Sequence, residues 1–378
     1  MRKVGAVLLF VSLAAGGLAV THASASEDAG QPTWSVAGEL SRARSYASAT
    51  GIETGEILIV GGLDPSDPKV TVTTTELFDP RTGATTVLPQ GVTGRLNQKV
   101  TPAWGGRVVV SGGTIWMGDH WESVATVDVF LPGSHTWLRA SPMLQPRSDH
   151  GSAELLDGRV FVTGGNYNNR LLRSSEIYDP SVDAWTPVTP MPRPRTQFTM
   201  AALPDGSVLV AGGFQDDGIP TDSTLIYLPF AEKWIDGPAL MDARLNHSMV
   251  TLADGNVLFF GGERSGAGTS ELYEWRARRF VRAGVLGEPR LVAQGALLSD
   301  GAVVAVGGLP DDRWRTRFDP LAAAEIWDPV LRVWRDIASA PSSRAYAQLI
   351  ATEHGIVRLS GVGVDEEPLP LIELLAWR

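Results

Sequence analysis

One spacing recurs along almost the whole sequence. An aromatic residue is followed ten positions later by Arg, and seventeen positions after that by a Gly doublet, as in Trp137, Arg147 and Gly164-Gly165. Intact copies also begin at Trp34, Trp185, Trp234 and Phe280. Two further copies are degenerate, because Thr85 replaces the aromatic residue in one and Gly361 is followed by Val in the other. Seven copies in one register require a repeat architecture with a period of about 50 residues.

Each repeat contains the pattern of four short β-strands. Apolar runs rich in β-branched and aromatic residues, such as 206–212 and 255–261, begin at Asp-Gly dipeptides. These dipeptides are typical of tight hairpin turns, in which Gly accepts a positive φ without steric cost. A third strand such as 175–178 leads through an Asp-Pro turn into the strand that carries the Trp. The pattern therefore predicts four antiparallel strands per repeat.

The repeat resembles the kelch repeat. Residues 176–213 carry most of the pattern of secreted bacterial kelch proteins, E-x-Y-D-P-x4-W-x9-R-x2-H followed by D-G-x-V-x-V-x-G-G, with Phe198 where the family often has His. The resemblance covers nearly all of residues 33–378. It implies an all-β fold, a seven-bladed kelch-type β-propeller with four antiparallel strands per blade, in the superfamily of galactose oxidase. The fold alone says little about function, because one fold hosts many functions.

The two ends of the repeat array predict how the ring closes. The segment 371–376 corresponds to a third strand, so the last repeat lacks its Trp strand, whereas Trp34 begins the array with that missing strand. We expect residues 33–37 to complete blade seven and to remove an open sheet edge. The chain has no Cys, so no disulfide can take this role. Residues 26–378 are then a single propeller domain.

Residues 1–25 have the features of a secretory signal peptide. Arg2 and Lys3 precede an apolar run that ends near Val20, and Ala23-Ser24-Ala25 is a typical cleavage site. We expect cleavage after Ala25 and an extracellular, periplasmic or cell-surface location; an uncleaved anchor is the alternative. No other stretch could span a membrane. The formal charge of −10 argues against nucleic-acid binding, and a monomer is expected.

Length varies in only one interval of the repeat, between the Gly doublet and the aromatic residue of strand three. That interval runs from Gly261 to Tyr273 in the shortest repeat and from Gly307 to Trp327 in the longest. Only the loop between strands two and three can absorb this variation, and insertions in repeat proteins collect on one face, often the binding face. The candidate binding residues in these loops are Trp116, His120, Trp121, Tyr167, Phe214, Arg313 and Trp314. Packing of the aromatic residues onto the blades is the alternative.

A charged framework follows the same period. The repeat arginines, expected at the start of the inner strands, are Arg44, Arg95, Arg147, Arg195, Arg244, Arg290 and Arg344. The acids at the start of strand three are Glu76, Asp128, Glu176, Glu271, Glu325 and Glu373. Both strand ends fall on one face, so structural ion pairs are expected. In repeat four Leu225 replaces the acid, and Asp222 is the nearest substitute.

Three residues after each arginine, a ring of side chains is expected to face the axis near the mouth of the channel. Its polar members, Gln98, His150 and His247, are the candidates for ligand contact in this ring. The alternative is a structural role, because His is frequent at this position in kelch repeats.

The sequence contains little that supports catalysis. The radical copper oxidases related to galactose oxidase are identified by a cofactor of cross-linked Tyr and Cys, and this chain has no Cys. The His residues have no metal-ligand spacing, so we expect no metal and no cofactor.

The chain is interpreted as a non-catalytic platform that binds a carbohydrate or a protein. The alternative is a cofactor-independent sugar-modifying enzyme similar to kelch-type sialic acid mutarotases, with acid, base and binding groups from Arg147, His150, His247 or Glu263.

Overall fold

The computed structural model describes residues 32–89, 91–216, 218–262, 268–310 and 318–377. These residues form seven four-stranded antiparallel sheets. The first strands of consecutive sheets contact one another in a closed ring, so each sheet is a blade around a central axis. The predicted all-β, seven-bladed propeller is therefore confirmed. The predicted signal peptide and its predicted cleavage site after Ala25 lie outside the described residues.

Within each blade the strands follow chain order from the axis outward. The innermost strands are Ser48–Gly51, Lys99–Ala103, Gly151–Glu154, Thr199–Ala202, Ser248–Thr251, Gln294–Leu297 and Gln348–Thr352. The second strands are Ile57–Val60, Arg107–Ser111, Val160–Thr163, Val208–Ala211, Val257–Phe260, Val303–Val306 and Gly355–Leu359. The third strands are Glu76–Asp79, Val127–Leu131, Ser175–Asp179, Thr224–Leu228, Thr269–Glu274, Ala324–Asp328 and Leu371–Ala376. The outer strands are Ala84–Val87, Thr136–Ala140, Ala184–Val188, Lys233–Asp236, Arg279–Val285, Val333–Ile337 and, in blade seven, Thr33–Glu39.

Shorter elements of secondary structure lie in the loops and turns. Two-stranded hairpins between strands two and three of blades one to three pair Leu63–Asp64 with Asp67–Thr71, Thr114–Trp116 with Trp121–Ser123, and Asn166–Tyr167 with Arg170–Leu171. Short 3-10 turns lie at Trp104–Gly106, Pro132–Ser134, Pro229–Ala231 and Val364–Glu366. The face of the propeller opposite these hairpins consists mostly of tight turns, as the sequence predicts.

The closing strand of blade seven joins the two ends of the chain. Thr33–Glu39 runs antiparallel to Leu371–Ala376 and places Trp34 opposite Leu375. The indole N–H of Trp34 donates to the carbonyl oxygen of Ala338 in blade six at 2.8 Å. A strand from the start of the array therefore completes the last blade, as predicted.

The apolar core is divided into clusters that lie between adjacent blades. Tyr178 on strand three stands opposite Trp185 on the outer strand, with ring centroids 5.0 Å apart, and both pack against Val109 of blade two. The indole N–H of Trp185 also donates to the carbonyl oxygen of Ser141 in blade two at 2.9 Å. The repeated aromatic pair therefore attaches each blade to the preceding one.

In blade one, Thr85 replaces the outer-strand aromatic residue, and a polar contact to the preceding blade replaces the aromatic one. Thr85 donates through Oγ1 to the carbonyl oxygen of Glu39, in the closing strand of blade seven, at 2.7 Å. The hydrogen bond to the preceding blade is retained, although the aromatic surface is lost.

The Gly doublet attaches each blade to the following one. Gly164 has a φ of 63°, and a Cβ at this position would lie 2.8 Å from the carbonyl oxygen of Arg195 in the next blade. The N–H of Gly165 donates to that same oxygen at 2.9 Å. Both the backbone conformation and the close approach therefore require Gly at the first position.

Blade seven departs from the register that the spacing predicts. Ser360, with a φ of 59°, takes the place of the first Gly, and Gly361 takes the place of the second. The backbone bridge of Ala345 with Val362 matches that of Ser45 with Leu63, which shows the one-residue offset. Ser360 donates through Oγ to the carbonyl oxygen of Arg44 at 2.8 Å. A serine hydroxyl thus supplies the bond that a Gly N–H supplies elsewhere.

Trp34→Ala is expected to lower the free energy of unfolding by about 2 to 3 kcal/mol, because it removes packing against blade six and the indole hydrogen bond. Urea unfolding monitored by circular dichroism measures the change. Val36→Ala is the control, since Val36 lies on the same strand and is 56% exposed. An unchanged stability in Trp34→Ala would contradict the closing role of this strand.

Candidate binding site

Buried ion pairs occupy most of the charged framework. The pairs are Arg44 with Glu76, Arg95 with Asp128, Arg147 with Glu176, Arg244 with Glu271, Arg290 with Glu325 and Arg344 with Glu373. In blade three, Arg147 Nη2 lies 2.6 Å from Glu176 Oε1, and the carboxylate also accepts the backbone N–H groups of Leu144 and Gln145. These groups are committed to structure, because each buried charge is neutralised by its partner.

Arg195 of blade four is the exception. Its guanidinium donates to the carbonyl oxygens of Gly212 and Ser223, both at 3.1 Å, and to Ser223 Oγ at 3.0 Å. In the described part of the chain it makes no ion pair, with Asp222 or with any other acid. Its Nε has no hydrogen-bond partner, which is also true of Arg95 and Arg147. Burial is the main reason that the pKa of Arg195 falls to about 10. The side chain remains protonated at neutral pH, so a positive charge is buried here without a neutralising carboxylate.

An apolar cluster replaces the missing acid. Leu225 occupies the position of the strand-three acid and packs with Met191, Phe198 and Val210. Phe198 stands where the kelch pattern often has His, so two polar positions of the repeat have become apolar together in blade four.

The inner-ring candidates lie between blades, and the expectation that they face the channel axis was wrong. Gln98 Nε2 donates to the carbonyl oxygen of Val60 at 3.2 Å, His150 Nε2 lies 3.1 Å from Ser111 Oγ, and His247 Nε2 lies 2.7 Å from Thr199 Oγ1. All three side chains are buried.

The reason is a left-handed backbone conformation one residue earlier in every blade. The residues with this positive φ are Tyr46, Asn97, Asp149, Gln197, Asn246, Val292 and Tyr346. They are partly or fully exposed, and some are bonded around the ring, as in Asp149 N–H to the carbonyl of Asn97 at 3.2 Å. These residues, rather than the predicted ones, form the ring at the start of the inner strands.

Burial keeps His150 and His247 neutral. The pKa of His247 falls to about 3, mainly through burial and further through Arg244. The pKa of His150 is lowered well below its usual value, again mainly by burial, with Arg147, Lys99 and Arg95 adding to the effect. A histidine in this state is a poor proton donor at neutral pH. Glu263, the remaining acid–base candidate, lies outside the described residues.

A groove lies on the long-loop face between blades three and four. Its cavity volume is about 890 Å³. The lining residues are Gln145, Tyr167, Asn169, Arg170, Leu171, Leu172, Arg173, Ser174, Pro194, Phe214, Gln215, Asp216 and Gly218. Two of the candidate binding residues, Tyr167 and Phe214, therefore line one groove from two different blades.

Local sequence explains why the blade-three wall of the groove is rigid. Asn168 and Asn169, with φ of 48° and 68°, form a two-residue hairpin turn, and Asn tolerates this conformation better than most residues. Tyr167 pairs with Arg170 across the hairpin. Asn168 Oδ1 accepts the backbone N–H of Ser123 at 2.9 Å, which attaches the hairpin to blade two.

The blade-four wall is fixed by backbone pairing. Phe214 exchanges two backbone hydrogen bonds with Thr196, at 2.8 and 3.1 Å. Its ring therefore projects from a segment that is tied to the start of the inner strand.

The remaining loop candidates lie elsewhere. Trp116 and Trp121 are cross-strand partners in the blade-two hairpin, with ring centroids 5.4 Å apart, and Lys69 lies 5.2 Å over the Trp116 ring. Both indoles are half-buried, which favours packing within the loop. His120 is exposed at the tip, where its Nδ1 lies 2.6 Å from Asp119. Arg313 and Trp314 lie outside the described residues.

Gln145 and Arg173 are among the groove residues that sequence reasoning missed. Gln145 belongs to the connection before Arg147, and Arg173 follows the blade-three hairpin. Neither has a recurring pattern that could mark it, because they reach the groove only when neighbouring blades pack together.

The donor set does not fit a copper-radical centre. The sequence has no Cys, and within residues 32–377, apart from the undescribed gaps, no group of three or more His, Asp and Glu side chains is placed to hold a metal ion. The same described residues include no helix that is long and apolar enough to cross a bilayer.

His247→Gln is expected to weaken the dependence of stability on pH. Below pH 6.5 the unfolded state gains a proton at this residue and the folded state does not, so stability is lost as the pH falls from 6.5 towards 3. At pH 5 this loss is about 2 kcal/mol.

Urea unfolding at pH 7 and pH 5 tests this expectation. In His247→Gln the difference between the two unfolding free energies should be smaller by that amount. His354→Gln, at an exposed turn, is the control and should leave the difference unchanged. Equal pH dependence in the parent and in His247→Gln would show that His247 titrates normally.

Comparisons with known proteins support the architecture. Residues 146–192 match the family described as Kelch motif. Among curated proteins, none matches this chain. A solved structure titled "Novel fungal alcohol oxidase with catalytic diversity among the AA5 family, in complex with copper" has a TM-score of 0.72 and 19% identity, over 93% of this chain and 77% of that chain. At this identity the likeness concerns the fold alone. The kelch motif at residues 146–192, the seven blades and this structural likeness together support a kelch-type β-propeller fold.

Proposed function

We propose that this protein is a non-catalytic binding platform that recognises a carbohydrate in the groove between blades three and four. The observation that carries the proposal is the convergence of Tyr167 and Phe214 on one cavity of about 890 Å³. Aromatic faces suit the apolar faces of sugar rings. The amide groups of Gln145, Asn169 and Gln215 supply donors and acceptors for hydroxyl groups.

The shape of the groove favours a carbohydrate over a protein partner. Ligand sites are concave and span roughly 300 to 1,000 Å³, whereas a stable protein interface buries a broader surface. The groove falls in the first class. A folded protein partner would contact the hairpin tips, such as His120, more readily than the groove floor.

Catalysis finds little support among the described groups. His150 and His247 are buried and neutral, and Arg147 is held by Glu176. A sugar-modifying activity needs a proton donor and acceptor that reach the ligand. The candidates for those roles that the structure describes, Arg147, His150 and His247, are thus occupied within the blades.

The proposed site of action is outside the cytoplasm. Arg2, Lys3, the apolar run that follows and the Ala23-Ser24-Ala25 motif support export with cleavage after Ala25. A glycan of the cell surface or of the surroundings is then accessible to the mature chain.

Tyr167→Ala and Phe214→Ala are each expected to weaken glycan binding tenfold or more, about 1.4 kcal/mol, while the melting temperature changes little. A glycan array on purified residues 26–378 identifies the ligand, and calorimetry measures the affinities. Phe230→Ala is the matched control, because Phe230 is 88% exposed on a turn at the opposite face.

Unchanged affinity in both groove variants would exclude this groove as the site. Parallel NMR measurement of anomer exchange tests for turnover. Accelerated exchange by the parent protein would replace the binding proposal with the enzymatic alternative.

A further inference from the structure

We infer that the groove selects an acidic glycan, a carbohydrate that carries carboxylate groups. This inference rests on the proposed function, because it names the ligand class of the same groove. It is carried by positive charge that the protein leaves unbalanced there.

Two exposed arginines line the groove. Arg170 lies in the blade-three hairpin and Arg173 lies in the segment that follows it. Within the described residues, neither side chain makes an ion pair or a hydrogen bond. By contrast, exposed arginines on the outer strands, such as Arg279 and Arg282, bond the acids Glu274 and Asp242. The two groove guanidinium groups are therefore available to a ligand.

A third positive charge lies beneath the groove. Gln215, a lining residue, donates through Nε2 to Ser223 Oγ at 3.2 Å, and the same oxygen accepts Arg195 Nη2 at 3.0 Å. The Ser223 side chain thus connects the groove lining to the guanidinium of Arg195. That guanidinium has no carboxylate partner, because Leu225 replaces the acid of strand three. Inside the protein the lower dielectric screens this charge less than water would.

The neighbouring acids do not cancel these charges. Among the described lining residues, Asp216 is the acid. Glu176 lies near the blade-three wall, where it accepts the backbone N–H of Gln145, but it is paired with Arg147. Three guanidinium groups are thus opposed by one free carboxylate among the described residues around the groove.

A sugar carboxylate fits this arrangement. A guanidinium group binds a carboxylate through two parallel hydrogen bonds, which are stronger than those between neutral groups. The ring that carries the carboxylate can rest on Tyr167 or Phe214. An oligosaccharide of uronic acids would present one carboxylate per residue along the groove.

The test uses a panel of carboxylated oligosaccharides and their methyl esters, since the ester has the same sugar without the charge. The panel contains oligomers of galacturonate, glucuronate and mannuronate and a glycan ending in sialic acid. We expect at least one acid form to bind about tenfold more tightly than its ester, with an affinity that falls as salt is added. The preference should disappear in Arg170→Gln combined with Arg173→Gln. Arg276→Gln, on the turn face, is the charge-matched control.

Two single substitutions test the charge balance in opposite directions. Asp216→Asn should strengthen binding of the acid form and leave the ester unchanged. Leu225→Glu supplies the missing acid for Arg195 and should weaken binding of the acid form severalfold. Because Leu225 is buried, this variant is interpreted only if its melting temperature matches the parent; Asp216→Asn is informative in either case.

The outcomes separate this inference from the proposed function. Equal binding of acids and esters, lost in Tyr167→Ala, would retain the glycan groove and overturn the charge inference. Binding of no oligosaccharide, acidic or neutral, would overturn the proposed function itself. An acidic peptide that displaces the bound uronate at equal concentration would overturn the assignment to a glycan.

Discussion

A buried arginine at the start of each blade is the group on which the ring depends. Arg195 illustrates its two connections. Its guanidinium donates to the carbonyl of Gly212 in its own blade, and its backbone carbonyl accepts the N–H of Gly165 in the preceding blade. One residue thus sets the shape of a blade and its distance from the neighbour. Burying so polar a group costs free energy unless its charge is compensated, which explains why an acid recurs on strand three.

In blade four this compensation is missing, and the groove of about 890 Å³ lies beside it. Leu225, which replaces the acid, and the buried Phe198 belong to one apolar cluster, so the core itself is well packed. The Arg195 guanidinium remains a buried positive charge, and its compensation must come from groups around the blade. Departures from an otherwise consistent pattern often mark functional positions, and here the departure and the groove coincide.

The fold was predictable because the repeat fixes spacings that strands and turns must obey. The closing strand followed from both ends of the array, since residues 371–376 correspond to a third strand without its Trp strand and Trp34 stands at the position of that missing strand. The register of blade seven did not follow, because a shorter turn between its first two strands moves Ser360 into a position that is Gly elsewhere. The orientation of His150 and His247 was also missed. It depends on a left-handed conformation at Asp149 and Asn246, and residue type alone does not reveal that conformation.

The groove was predictable only in part. Tyr167 and Phe214 stand in loops whose length and aromatic content mark them, whereas Gln145 and Arg173 have no such signal. A site built by two neighbouring blades depends on how consecutive repeats pack against each other. Periodicity describes each repeat well and says little about what lies between two of them.

The pairing of Trp34 with Leu375 has a consequence for how the molecule is made. These partners are separated by almost the whole sequence, so the seventh blade cannot assemble until the last strand has been synthesised. Six blades can form their internal hairpins locally, but the ring remains open until the final residues arrive. The long-range pairing that closes the ring therefore follows the formation of the local hairpins and is the slower step of folding.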